Sequence, residues 1–372
     1  MRLMQTFHRG LASGEGFCNR KDELARLSQN ILQTTQTLLI SPRRYGKTSL
    51  ALRAIESTQL PYAYIDLFMK SDDATVMREF YDALSILISK VIKPTESAIR
   101  KLESFLKNLS ISIKVGELGF EFSLAPKTSA NKKSLKSLLV GIDELLAKQK
   151  KHAIIFIDEI QAISGSTICD EVESALRFVA QKTKNISFIF SGSSRHLLSQ
   201  MFEDKSRPLY KLCHQIPLQR ISAEHYQSFI NRFSKIKWKN ALSDEVFESI
   251  FSSAKLHPYY MSILCGYLFE SNTIPSTEDV IKCWEKICRE EQGSIARDVE
   301  FLTPKQKQLL SEIARHPGLK EPTSKEFSQK VNLTPKGILG AIEIFLKHDL
   351  IEKLETGEIR VIDPVLDYWC AS

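Results

Sequence analysis

Ser41-Pro42-Arg43-Arg44-Tyr45-Gly46-Lys47-Thr48-Ser49 follows directly on the apolar run Thr37-Leu38-Leu39-Ile40 and leads into the helical stretch Leu50-Ala51-Leu52. A strand, a turn of special residues and a helix, in that order, make a concave anion site. The turn's backbone N–H groups and the helix N-terminus point at one place. Gly46 lets the backbone approach a phosphate closely, Lys47 brings a point charge to β- and γ-phosphates, and Thr48 offers a hydroxyl to Mg²⁺. Ser41 stands where such a loop opens with glycine, and serine is expected there at a conformational cost. The competing reading, an ordinary basic turn, is disfavoured by the strand–loop–helix context.

A second site is needed to exclude coincidence. Ala153-Ile154-Ile155-Phe156-Ile157 is a continuous apolar strand ending in Asp158 and Glu159. Unbroken hydrophobicity marks a strand buried on both faces of a parallel sheet, and such sheets place ligands beyond the strands' carboxyl ends. Asp158 is expected to hold Mg²⁺, directly or through water, and Glu159 to polarise an attacking water as general base. The bland alternative is a surface Asp-Glu turn, which loses ground once the phosphate loop is considered with it. A third strand, Asn185-Ile186-Ser187-Phe188-Ile189-Phe190, runs into Ser191-Gly192-Ser193. Ser191 and Ser193 are the candidates to sense a γ-phosphate. Arg195 and Arg207 are the candidate cationic stabilisers of the transferring phosphoryl group, in cis or in trans, and each serves equally well as a solvated or structural residue.

With these motifs in order, the chain resembles the archaeal-type ATPases of the STAND class, signal-transduction ATPases related to the AAA+ proteins. Phe17-Cys18-Asn19-Arg20-Lys21-Asp22-Glu23-Leu24 resembles the family's F-x-G-R-x-x-E-L opening, and Pro42 to Ser49 its G-P-R-R-x-G-K-T-S. Tyr64-Ile65-Asp66-Leu67-Phe68 resembles its second strand, Ile157 to Gln161 its Walker B strand, and Ser191-Gly192-Ser193 the end of its sensor strand. His257-Pro258-Tyr259-Tyr260 resembles its G-H-P-Y-Y stretch, and Asp363-Pro364 with Tyr368-Trp369 the end of its winged helix. Asn19 and Leu256 stand where the family has glycine. The resemblance implies an α/β fold: a P-loop NTPase parallel-sheet core of the ASCE/AAA+-like type, with a helical lid and a C-terminal winged helix. It places Asn19 and Arg20 near the nucleotide base, and implies ATP or ADP with Mg²⁺ as cofactors. His257 and Pro258, at a helix start, are candidates to touch the nucleotide; a capping or core role for His257 is the alternative.

The elements that must position these residues follow in three parts. Residues 1–215 read as the ATPase core, interrupted at about 101–136 by an insert. There Ile111-Ser112-Ile113-Lys114-Val115 and Phe120-Glu121-Phe122-Ser123-Leu124 alternate around Gly116 to Gly119, a hairpin pattern that is either an edge decoration or a docking element. Residues 216–301 read as the helical lid, with Ser222 and Ser243 as N-caps. Residues 302–372 read as a winged helix: helices starting at Pro304, at Thr323-Ser324-Lys325-Glu326-Phe327 and at Thr334-Pro335-Lys336-Gly337, then a two-stranded wing over Leu354–Val361.

Charge decides what that winged helix is expected to meet. The chain carries a net charge of +7, but residues 302–372 hold ten Lys/Arg against ten Asp/Glu. The third helix offers only Lys336 and Lys347, offset by Glu343 and Asp349, while a DNA-binding face needs several phosphate-neutralising cations. Intramolecular or protein contact is therefore favoured for the winged helix over nucleic acid, with a protein partner or self-association as the favoured partner class. No 18-residue apolar stretch is present, so no membrane partner is expected, and seven scattered cysteines without metal spacing fit reduced thiols in the cytoplasm. The expected activity is a slow Mg-dependent ATPase acting as a nucleotide-controlled switch. The alternatives are a DNA-binding ATPase of the replication-initiator type and a non-hydrolysing nucleotide-binding module.

Overall fold

A computed structural model describes residues 7, 10–12, 14–70, 72–92, 111–116, 119–124 and 134–371. The chain divides into two compact units. One comprises Lys21–Ser41 and Lys47–Leu218, the other Met1–Arg20, Pro42–Gly46 and Gln219–Ser372.

The first unit holds strands β1 (Thr37–Ile40), β2 (Tyr62–Asp66), β3 (Ile111–Gly116), β4 (Gly119–Leu124), β5 (Ala153–Asp158), β6 (Ile186–Gly192) and β7 (His214–Pro217). Five of them form a parallel sheet in the order β2-β5-β6-β1-β7. β5 and β6 are buried along their whole length, which is what their unbroken apolar sequence requires of strands covered on both faces. Helices such as Lys47–Thr58, Asp73–Val91 and Cys169–Ala180 alternate with the strands, and the core gathers Phe80, Leu84, Ile155, Ile157, Leu176, Phe188 and Phe190. This is the parallel-sheet P-loop NTPase fold.

Strand order positions the chemistry. β6 lies between β1 and β5, so the strand feeding the phosphate loop and the strand ending in Asp158 are separated by one neighbour. Because all three run parallel, Ser41, Asp158–Glu159 and Ser191–Ser193 leave the sheet at the same edge. β3 and β4 pair antiparallel from Ile111↔Leu124 to Gly116↔Gly119, as the alternation predicts. Residues 101–110, 117–118 and 125–133 of the expected insert lie outside the described residues, and the helix Ser134–Gln149 already begins within its stated range.

In the second unit, helices Ala223–Lys237, Asp244–Ala254, Pro258–Leu268 and Thr277–Asp298 are followed by Pro304–Arg315, Lys325–Val331, Pro335–Lys347 and Pro364–Ala371. They share one core in which Tyr260, Trp284, Ile287, Leu309, Phe345 and Val365 are all buried. Ser243 caps its helix through Val246 N–H. Ser222 sits at an N-cap position but makes no capping bond; its hydroxyl pairs instead with His225 Nδ1 at 2.7 Å. The winged helix is present, with its wing shifted from the expected range. β8 (Ile351–Lys353) pairs with β9 (Ile359–Val361), and 354–358 is the turn between them, closed by a Leu354 N–H to Glu358 carbonyl bond and by Gly357 at φ +85°. Along Pro335–Lys347, Ile338, Ile342 and Phe345 pack inward while Lys336, Glu343 and Lys347 are exposed. All seven cysteines are free thiols, three of them buried. Among the described residues no helix is long and apolar enough to cross a membrane.

At two of the three positions where the sequence lacks an expected glycine, the backbone takes the conformation that favours glycine. Asn19 (φ +53°) and Leu256 (φ +57°) both occupy the left-handed region where glycine is at ease. Asparagine tolerates it, whereas a leucine there is strained. Leu256 leads into His257, which precedes Pro258 at the N1 position of its helix and is only 2% exposed, its Nδ1 without a hydrogen-bond partner among the described residues. Burial, aided by the charges of Arg220 and Arg44, holds the His257 imidazole well below its usual pKa, so the fold keeps it neutral. The unfolded chain takes up a proton near the ordinary histidine value. Stability is thus fully present above that value and is lost as pH falls toward the depressed folded pKa, by up to about 1.4 kcal/mol per pH unit. His257→Phe, which keeps an aromatic ring but cannot titrate, is expected to flatten this dependence when urea midpoints are compared at about pH 7.5 and about pH 5.5. An unchanged pH slope in the variant contradicts the assignment.

Candidate nucleotide site

In the first unit, Lys47 opens the helix Lys47–Thr58, and its ammonium is buried against the loop's first residue. Its Nζ donates to the Ser41 carbonyl oxygen at 3.0 Å and lies 3.4 Å from the Ser41 hydroxyl. Ser41 is not among the residues with positive φ, so the conformational cost expected of it is not incurred. Positive φ falls instead on Arg44 (+66°) and Gly46 (+88°), and at Gly46 the loop needs a residue without Cβ.

Thr48 and Asp158, 110 residues apart, meet directly: Thr48 Oγ1 donates to Asp158 Oδ2 at 2.6 Å. The Ser191 hydroxyl donates to Asp158 Oδ1, and the Tyr64 hydroxyl reaches Oδ2 at 3.4 Å. Burial pushes the Asp158 carboxyl up, while the hydrogen bonds from Ser191 and Thr48 and the charge of Lys47 pull it back toward the ionised form. Thr48 and Asp158 bring two hard oxygen ligands to one point beside a lysine. That donor set suits Mg²⁺, which takes one or two protein oxygens and fills its remaining positions with water and phosphate.

Glu159 is the next residue, in a left-handed conformation (φ +53°) that turns its side chain off the strand end. Its Oε2 accepts from Ser193 N–H at 3.1 Å, from the Ser193 hydroxyl at 2.8 Å, and from Gln161 Nε2. Ser191 and Ser193, expected to face a γ-phosphate, thus engage Asp158 at the end of β5 and Glu159 just beyond it. A Cβ at Gly192 would meet Gln161 Oε1 and the Leu198 methyl groups, so a side chain there would oblige these side-chain ends to shift.

The two candidate arginines differ. Arg195 is half-buried at the first position of its helix. Arg207 forms an ion pair with the fully buried Glu173, and its Nη2 lies 3.0 Å from Cys169 Sγ. Removing one partner of such a pair leaves a buried charge, so its first role is structural.

Within the second unit, the loop tip meets Arg20 and His257, and Asn19 precedes Arg20 in the chain with a left-handed backbone. Arg20 Nη2 donates to the Tyr45 carbonyl oxygen at 3.3 Å, and the buried Tyr45 ring meets His257 edge-on at 4.9 Å. Arg44 Nη1 contacts Glu291 Oε2 at 3.3 Å and stacks over the Tyr259 ring at 4.2 Å. Sequence reasoning missed Tyr64, Gln161, Arg220 and Glu291. The first two lie inside recognised motifs; the others carry no local signal.

A family model described as an ATPase domain predominantly from Archaea matches residues 17–264, and one described as a probable winged helix domain matches residues 296–372. No curated protein matches the chain. Among solved structures, the Walker-type ATPase PABY2304 of Pyrococcus abyssi is 17% identical, with a TM-score of 0.70 over 98% of this chain and 99% of that one. The ORC2 protein of Aeropyrum pernix, solved in ADPNP–ADP complexes, is 14% identical, with a TM-score of 0.57 over 94% of this chain and 91% of that one. At these identities the likeness is one of fold. The family model covers the Ser41–Ser49 loop, the Asp158–Glu159 strand end and the Ser191–Ser193 strand end, and on that match the chain belongs to the family of ATPase domains found predominantly in Archaea.

Proposed function

We propose that this chain binds ATP with Mg²⁺, hydrolyses it slowly, and uses the nucleotide state to control its conformation, in the manner of a signal-transduction ATPase. The observation that carries the reading is the Thr48–Asp158 contact, which joins the phosphate loop to the carboxylate strand at one sheet edge. Bound Mg²⁺ would supply Lewis-acid polarisation of the phosphate oxygens, with Thr48 and Asp158 as its protein ligands. Pro42, Arg43 and Ser49 complete the loop whose backbone faces the anion, and Lys47 would leave Ser41 for the β/γ-phosphates. Glu159 would take the proton of the attacking water, with Ser193 and Gln161 setting where its carboxylate rests.

A partner protein or a second copy of the chain remains the favoured audience for the switch. The exposed part of the helix Pro335–Lys347 places Glu343 with Lys336 and Lys347, which supports protein contact over a phosphate backbone.

Three measurements test this. Lys47→Ala is expected to weaken ATP binding by about a hundredfold or more in a calorimetric titration, since it removes a charge-assisted contact to phosphate. Retained affinity would show that the loop is misassigned. Glu159→Gln is expected to bind ATP normally while single-turnover hydrolysis falls by roughly a hundredfold or more; an unchanged rate removes Glu159 from its role. Turnover measured with and without duplex DNA, at low and high salt, is expected to be the same in all four conditions. Stimulation that fades with salt would establish the initiator-type alternative.

A further inference from the structure

Arg220 lies outside every motif, yet its guanidinium is buried and its donors are committed in three directions. Nε donates to the Tyr45 hydroxyl at 3.2 Å, Nη1 to the Lys255 carbonyl oxygen at 2.5 Å, and Nη2 to the Ile362 carbonyl oxygen at 2.8 Å. Glu352 Oε1 lies 3.8 Å from Nη2 and is itself bonded by Arg360 Nε at 2.6 Å. These residues all belong to the second unit but come from separate places: the tip of the phosphate loop, the end of the helix Asp244–Ala254, and both strands of the wing with the residue that follows them.

A guanidinium is planar and its donors point along fixed directions, so acceptors held by one arginine cannot move independently. Tyr45 is pinned at a second point, where its carbonyl oxygen accepts from Arg20. Displacing the wing would therefore either drag the Tyr45 hydroxyl or leave a buried guanidinium short of an acceptor, and the second outcome carries a desolvation penalty. Lys47 is two residues along the chain from Tyr45.

We infer that Arg220 is a positioning residue that ties the wing hairpin to the phosphate loop, so that the placement of the wing sets nucleotide affinity. The inference rests on the reading of that loop as the nucleotide site and deepens it by naming the path of control. By linkage, nucleotide binding biases the wing to the same extent.

The test is titration of the full chain with a fluorescent ADP analogue. Tyr45→Phe keeps the buried ring and removes only the acceptor; Arg220→Met keeps bulk and removes the donors. Each is expected to weaken binding by about tenfold, and the double variant to be no weaker than the worse single one, because both break one connection. Arg220→Lys restores charge but not the fork and is expected to stay weak, while Glu352→Gln, on the wing, shifts affinity in the same direction. If Arg220→Met does not fold, Tyr45→Phe and Glu352→Gln decide the matter. Wild-type affinity in both, or additive losses in the double variant, overturns the inference. Lys47→Ala separates the two levels. If it abolishes binding while Tyr45→Phe binds normally, only this inference falls; if it binds like wild type, both fall.

Discussion

A hydroxyl and a carboxylate from residues 110 positions apart, Thr48 and Asp158, share a hydrogen bond at 2.6 Å, and the first unit is arranged so that they can. The constraint is topological. For the loop after β1 and the carboxylates after β5 to meet, both must leave parallel strands at the same end of one sheet. β6 between β1 and β5 sets their separation; Ser191, within β6, bonds to Asp158, and Ser193, just beyond it, bonds to Glu159. The unbroken hydrophobicity of β5 and β6 follows from the same constraint: strands in the middle of such a sheet are covered on both faces.

Motifs built from adjacent residues were legible in the sequence. The loop after β1, the Asp158–Glu159 pair and the Ser191–Ser193 strand end each join an apolar strand to polar residues at its end, and that contrast needs no tertiary information. The β3–β4 hairpin was legible for a similar reason, since its alternation has the period of a strand. The first wing strand starts at Ile351, ahead of the expected Leu354, because Leu354 looks like strand but sits in the turn that Gly357 closes.

What could not be read is what depends on backbone conformation or on partners far away in sequence. Ser41 was expected to be strained on the strength of a motif letter, whereas the left-handed residues of the loop are Arg44 and Gly46. Asn19 and Leu256 replace glycine at positions that are left-handed, yet no side-chain pattern reveals a φ angle. Arg207 was a candidate for phosphoryl chemistry until its ion pair with Glu173, 34 residues upstream, gave it a structural task. Arg220 and Glu291 meet the loop tip from 175 and 247 residues away and belong to no motif.

The central claim is that Thr48 and Asp158 together take a divalent cation that accompanies a nucleotide. Its most direct test is the dependence of ADP affinity on Mg²⁺ concentration, measured by calorimetry for the natural chain and for Asp158→Asn. The account predicts that Mg²⁺ tightens binding to the natural chain and that the variant loses this gain while still binding metal-free ADP. The same Mg²⁺ dependence in both proteins would contradict it.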